Sequence, residues 1–235
     1  MKYLDSFNQY SRNEWVASKA CKIPKGSFVL DVGAGAGPYR SLFSHCVYKT
    51  QDFGKAPSLI GKYTILDYES EITSIPVSDE SFDVILCTEV IEHIPEPFLA
   101  IKEMARILKN NGMLLLTAPL GSFIHQKPYH FYSGFTPYWY KEFLPKAGFE
   151  IISIESNRGF FSLFGQEAIR FSTFLDPRRT IHTKIYWPLL TFLWIITLPI
   201  LRFLFPILGK FLDKLYLEND ATVGYHIVAI KKSNH

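Results

Sequence analysis

The sequence predicts an α/β fold built on a seven-stranded, mostly parallel sheet with helices on both faces. Three features carry that expectation. A short apolar run ends in a cluster of glycines, further apolar runs alternate with segments of helical periodicity, and a last apolar run lies at the far end of the chain.

The elements follow in order. Phe28-Val29-Leu30-Asp31-Val32 is a short, mostly apolar run ending in glycines, the look of a buried parallel strand. Tyr39 to Ser44 can start a helix, and Val47 to Asp52 reads as a second strand with an acidic residue at its end. Residues 53–62 are too short and too rich in Gly and Pro for a full crossover helix, and Tyr63 to Asp67 is the candidate third strand. Phe82 to Cys87 is the fourth. Pro95 and Pro97 then open a helix with apolar residues Leu99, Ile101, Met104, Ala105 and Leu108 at helical spacing, which Asn110-Asn111-Gly112 ends. Met113 to Ala118 is the fifth strand, and a helix runs from Thr136-Pro137 to Ala147-Gly148. Glu150 to Ser156 is the sixth strand and Thr222 to Lys231 the seventh. Residues 1–157 with 221–235 therefore form one domain, and 158–220 form a hydrophobic helical insertion between strands six and seven.

Composition narrows the function classes. Among 235 residues, 48% are hydrophobic, enough for a well-buried core, and no low-complexity tract points to disorder. The three cysteines, Cys21, Cys46 and Cys87, are too few and too scattered for a disulfide framework, which fits a reducing cytosol. The N-terminus is polar, without the apolar core of a secretion signal. A net charge of +3 is too small to argue for nucleic acid. Its distribution says more. Arg158 to Lys214 holds eight Lys or Arg against three Asp or Glu, in the stretch richest in aromatic and aliphatic residues.

The glycines come in the run Asp31-Val32-Gly33-Ala34-Gly35-Ala36-Gly37, directly after the first strand. Glycine permits a tight turn and lets a ligand approach the backbone, while a helix N-terminus after it would offer free N–H groups. A mononucleotide loop would need Gly-Lys-Ser/Thr, which is missing, and a dinucleotide fingerprint would need glycine where Pro38 stands. What remains is a ligand with a positively charged amino group and no phosphate, suited to the acidic Asp31. Asp52, at the end of the second strand, is placed to accept both hydroxyls of a ribose.

Downstream come Ser70-Glu71-Ile72-Thr73-Ser74-Ile75-Pro76, Ser81-Phe82-Asp83-Val84-Ile85-Leu86-Cys87-Thr88-Glu89-Val90-Ile91-Glu92-His93-Ile94-Pro95, and Arg106-Ile107-Leu108-Lys109-Asn110-Asn111-Gly112. In this order, from about residue 10 to 157 and again at the last strand, the chain resembles the bacterial class I S-adenosylmethionine-dependent methyltransferases. The resemblance implies a Rossmann-like fold. It implies that Asp31, Gly33 and Gly35 hold the methionine end of the donor and that Asp52 binds its ribose. Glu71 with Ile72 would lie at the adenine, and Thr88 and Glu89 would complete the donor site. Many relatives carry Asp at the Glu71 position, and Asp67 is the competing choice.

Methyl transfer from a sulfonium is an in-line displacement, so the protein's task is to orient the acceptor and take a proton. Glu89 to His93 and Pro119 to Tyr132 should border the acceptor, beyond the carboxyl ends of strands four and five. His130 or His125 is the candidate general base. No metal is expected, because His45, His125, His130 and His182 form no ligand set with Cys or carboxylates at the usual spacings.

In the insertion, Lys184 and Arg202 bracket an uncharged run, followed by Phe203 to Leu208. The run is at the short limit for a membrane span. A single crossing would also separate strand seven from the sheet, and Pro188, Pro199 and Pro206 should break the run into short helical pieces. Three uses remain: a cap over the acceptor, a homodimer interface, or a patch lying in the membrane interface beside Arg178, Arg179 and Lys184. The sequence thus predicts methyl transfer to a small or lipid-linked acceptor, O-methylation of a glycan or lipid being preferred, on the inner face of a membrane. The competing reading is an inactive, membrane-associated module that keeps the fold. A nucleic-acid methyltransferase would carry Asn/Asp-Pro-Pro-Tyr/Phe, and Thr117-Ala118-Pro119-Leu120 stands there instead.

Overall fold

The computed structural model describes residues 7–55, 62–180, 186–215 and 220–233, so the sequence readings on His182, Lys184 and Ile185 fall outside the described residues. Two compact units emerge. The larger holds Arg12–Glu155 and Gly224–His235; the smaller holds Ser156–Val223 and the chain before Arg12. The smaller unit therefore starts just ahead of the expected boundary at 158 and takes in residues 7–11, which belong to helix α1 (Phe7–Ala20).

The larger unit is a seven-stranded sheet of order β3-β2-β1-β4-β5-β7-β6. Its strands are β1 (Phe28–Val32), β2 (Val47–Asp52), β3 (Tyr68–Glu69), β4 (Phe82–Thr88), β5 (Leu108–Pro119), β6 (Phe149–Ser156) and β7 (Gly224–Lys231). β1 pairs parallel with β2 and β4, β2 with β3, and β4 with β5; β7 runs antiparallel to β5. Alternate residues of each strand face opposite sides. Leu30, Val32, Ile85, Cys87, Leu114, Leu116, Ile227 and Ala229 enter one core, with α2 (Pro97–Ile107) and α3 (Pro137–Lys146) packed on it. Val29, Val84, Leu86, Leu115 and Val228 enter the other, which Trp15, Val16 and Ala20 of α1 cover.

Four elements depart from their expected form. Between the glycines and β2 there is a single 3-10 turn, Arg40–Phe43, and no α-helix; the connection is short, and Phe43 is fully buried to anchor it. The third strand is Tyr68–Glu69, not Tyr63–Asp67, because Ile65 points to solvent and the Asp67 carboxylate accepts from Thr50 N and Lys49 Nζ. β5 begins at Leu108, since α2 ends at Ile107 and Leu108 is already extended, with a register shift before Met113. β7 begins at Gly224, where a Cβ would sit 2.5 Å from the Ala118 carbonyl oxygen.

The smaller unit is helical: α4 (Phe160–Phe174), the short α5 (Pro177–Thr180), α6 (Trp187–Pro199), a π-helical turn (Ile200–Leu204) and α7 (Phe205–Leu212). The last three join end to end as one run of 26 residues. The prolines therefore do not break it, contrary to expectation. Pro188 sits in the first turn of the run, where a missing N–H costs nothing, and the wider π turn between Pro199 and Pro206 keeps Ile200 and Phe205 helical.

The packing of α4 against α7 inverts the usual pattern. The buried residues of α4 are Ser162, Gly165, Ala168 and Ser172, whereas Phe160, Phe164, Phe171 and Phe174 are exposed. A Cβ on Gly209 would lie 2.4 Å from Phe161 O, and one on Gly165 would lie 3.0 Å from Pro206 Cα, so the two backbones nearly touch. Asp213 caps α4 by accepting from the N–H groups of Gly159, Phe161 and Ser162. No side chain of α6 or of the π turn is buried.

Candidate functional site

The glycine loop turns back on the end of β2. Gly33 N and Ala34 N both donate to Gln51 O at 2.9 Å, and Gly35 N donates to Asp52 Oδ2 at 3.0 Å. Gly33, Gly35 and Gly37 all have positive φ. At Gly33 the demand is doubled, because a Cβ there would lie 2.4 Å from Val90 Cγ2.

Beyond the carboxyl ends of β1, β2 and β4 lies a cavity of about 450 Å³. Of the residues expected to hold the donor, Gly33, Asp52, Glu71, Ile72 and Glu89 line it, together with Gln51, Phe53, Val90, His93 and Tyr129. Asp31, Gly35 and Thr88 are not in its wall. Asp31 is buried and accepts from the Tyr48 hydroxyl, so its carboxylate is not open to an amino group as expected. Burial raises its pKa to about 7, against the lowering effect of that hydrogen bond. Asp67 also lies outside the wall, held by Lys49 and Thr50. Glu89, at a positive φ of 55°, accepts from Thr117 Oγ1 at 2.9 Å and pairs with Arg12 at 3.3 Å.

The residues present suit S-adenosylmethionine. Asp52 and Glu71 offer carboxylates for hydroxyl or amino groups, Ile72 and Phe53 offer apolar surface for a base, and Gln51 Oε1 is a buried acceptor without a partner.

At the other end of the cavity, His93 begins where the short 3-10 turn Ile91–His93 leaves β4. The loop after β5 folds back over that turn, its Phe131 and Tyr132 N–H groups donating to Glu92 O. The fold thereby gathers Glu92, His93 and His125, whose candidate ligand atoms all lie within 4.8 Å of one another. The expectation of no ligand set was drawn for His45, His125, His130 and His182 at sequence spacings, and this group lies outside it. That expectation left out His93, and His125 reaches it through a loop that spacing alone does not show. Burial holds the His93 pKa down to about 4, with His125 and His130 adding to the lowering. His130 Nε2 lies 3.1 Å from Ser122 Oγ, and because that hydroxyl donates to Ser133 O, His130 carries its proton on Nε2. Its pKa is lowered by desolvation and by His125.

A sheet of this order, with a glycine loop and a strand-end carboxylate around one cavity, defines the class I S-adenosylmethionine-dependent methyltransferases. The chain belongs to the methyltransferase-domain family, whose match covers residues 5–168. Among curated relatives, the ubiquinone biosynthesis O-methyltransferase of Vibrio vulnificus (strain YJ016) is 31% identical over 111 residues, 43% of this chain and 47% of that protein. The uncharacterized methyltransferase YcgJ of Bacillus subtilis (strain 168) is 33% identical over 98 residues, 37% of this chain and 39% of its own length. The matched stretch thus spans less than half of the curated relatives. Among solved structures, YcgJ from Bacillus subtilis has a TM-score of 0.54 at 15% identity, covering 96% of this chain and 100% of that one. Phosphoethanolamine N-methyltransferase 2 from Haemonchus contortus, solved with S-adenosyl-L-methionine, has a TM-score of 0.55 at 16% identity, covering 98% of this chain and 56% of that one. At such identities the likeness is one of fold.

Proposed function

We propose that the protein transfers a methyl group from S-adenosylmethionine to an oxygen of a lipid-linked or amphiphilic acceptor at the inner face of a membrane. The sulfonium supplies an electrophilic methyl: a C–O bond forms as the C–S bond breaks, and the electron pair stays on sulfur. Asp52, Glu71 and the Gly33 turn hold the donor. His130, with its proton on Nε2 and a lone pair on Nδ1, takes the acceptor proton.

The observation that carries the membrane part is the inverted helix pair. In water, an α4 with small residues inside and four phenylalanines outside would expose the surface it should bury. In lipid the same arrangement is favourable, because close backbone approach through small residues drives helix association there. Both ends of the unit lead into neighbouring strands, β6 and β7, which argues against a single crossing by the run of about 39 Å and supports a run that lies in or dips into one leaflet. That pattern favours a lipid-facing patch over a cap or a homodimer interface.

The test is label transfer. Protein incubated with methyl-labelled donor and either membrane lipid extract or soluble extract should place label in the organic phase from the lipid extract, and hydriodic acid should release that label as methyl iodide, as it does from O-methyl groups. Label confined to soluble products would remove the lipid-linked acceptor. No label from either extract, with donor binding intact, would favour an inactive module.

A further inference from the structure

Three imidazoles cluster beside the cavity; His93 is in its wall, whereas His125 and His130, the expected general bases, are not. The ring centroids of His93 and His125 are 4.8 Å apart, those of His125 and His130 4.6 Å, and those of His93 and His130 5.8 Å. Backbone carbonyls fix two of the tautomers. His93 Nδ1 bonds to Tyr129 O, and His125 Nδ1 bonds to Phe123 O at 2.9 Å. A carbonyl only accepts, so in both rings Nδ1 bears the proton and Nε2 presents a lone pair.

The lone pair of His93 has nowhere to go. Its Nε2 is buried without a hydrogen-bond partner, and so is Glu92 Oε2. Glu92 Oε1 lies 3.7 Å from that nitrogen, and the Glu92 side chain is 1% exposed. Two electron-rich groups facing each other out of water are stabilised by a positive charge between them, a shared proton or a metal ion.

We propose that Glu92, His93 and His125 bind a divalent transition-metal ion of the zinc class. The donor set is two imidazole nitrogens and one carboxylate, which leaves a fourth position open as in catalytic zinc sites. Each histidine already donates its other N–H to a carbonyl, the outer contact that orients metal-binding imidazoles. Bonds of about 2.0–2.1 Å put tetrahedral donors roughly 3.3 Å apart, so the present spread of up to 4.8 Å must close. His125 makes that closure possible, because it is exposed on the loop while Glu92 and His93 are fixed. His93 also lines the cavity, so an ion held there would lie beside it. There the ion would hold the acceptor oxygen and ease loss of its proton to His130 Nδ1. This last role rests on the O-methylation reading; the site itself does not.

Full-length protein stripped with chelator should be titrated with Zn²⁺ by calorimetry and with Co²⁺ by visible absorption. One ion per chain is expected, with Co²⁺ bands of a four- or five-coordinate site. His125→Ala, at an exposed position, should weaken binding at least tenfold, and Glu92→Gln should do the same. His45→Ala should leave it unchanged, since that ring bonds to Ile23 O elsewhere. Donor binding by the same variants reports whether they are folded. Absence of saturable binding, or binding unaffected in both His125→Ala and Glu92→Gln, overturns the site. Binding lost in those variants while no oxygen acceptor is ever methylated keeps the site and overturns the O-methylation reading.

Discussion

Asp52 carries two backbone hydrogen bonds, from Gly35 N and Gly54 N, yet still faces the cavity, so one residue both shapes the loop and meets the donor. A charge-assisted hydrogen bond is worth about 1.5–3 kcal/mol, and 1.4 kcal/mol is one decade in affinity. Asp52→Ala should therefore weaken S-adenosylmethionine binding at least tenfold; unchanged affinity by calorimetry in a folded variant would remove it from the donor site. Gly33→Ala faces both the left-handed backbone, at about 1–2 kcal/mol, and the Val90 side chain. Adding Val90→Ala should recover part of the lost stability but not all of it. Full recovery in thermal melts would mean that the backbone conformation is not the constraint. Asp31 makes a pH prediction. Between its ordinary value of 3.8 and about 7 the folded chain keeps a proton that the unfolded chain has lost, so this group's contribution to stability falls as pH rises through that window. Asp31→Asn removes that dependence, and its melting temperature relative to wild type should climb from pH 4 to pH 8. A constant difference would show that Asp31 does not titrate there. Asp52 and Gly33 were legible in the sequence because they sit at strand ends, where position follows from the pattern, whereas Glu71 followed from the family resemblance alone. The engagement of Asp31 by Tyr48 was not legible, since it joins side chains of neighbouring strands whose register the sequence does not give.

At the scale of elements, the sheet was legible almost strand by strand, because runs such as Val84 to Leu86 are apolar on both faces and bounded by turns. The misses share a cause. Ile65 lies in a run that looks like a strand but has no partner to bury it, and Pro199 sits in a run whose neighbours keep it helical. α4 was hidden for another reason: with phenylalanines and small residues both recurring at helical spacing, the sequence does not say which stripe faces protein. Its packing predicts an outcome that a water-soluble helix would not share. Gly209→Leu should separate α4 from α7 and lower stability, because the side chain would meet the Phe161 carbonyl. Phe164→Ser with Phe171→Ser, on the outer stripe, should leave the fold intact and weaken sedimentation with anionic liposomes. Unchanged sedimentation would rule out that stripe as the lipid contact. Arg178 pairs with Asp176 and lies over the Trp194 ring, so the salt dependence of liposome binding should respond more to Arg179→Gln than to Arg178→Gln.

For the whole molecule, the decisive feature is that the helical unit leaves and re-enters one sheet between adjacent strands. If the unit lies in one leaflet, a cysteine introduced at Ile196 and the native, exposed Cys21 share a side of a sealed vesicle. An impermeant maleimide trapped inside should then label neither, and labelling of position 196 from within would show a crossing. The same connectivity governs the order of events during synthesis. β6 lies at the edge of the sheet with β7 as its neighbour, and β7 follows the entire helical unit in the chain. At about 5–20 residues per second, the ribosome spends several seconds between the two strands. During that interval the apolar helical unit is being made while the sheet still lacks the strand between β5 and β6. A chain that reaches a bilayer during that pause would complete its sheet already moored, and one that does not would have to be shielded until the final strand arrives.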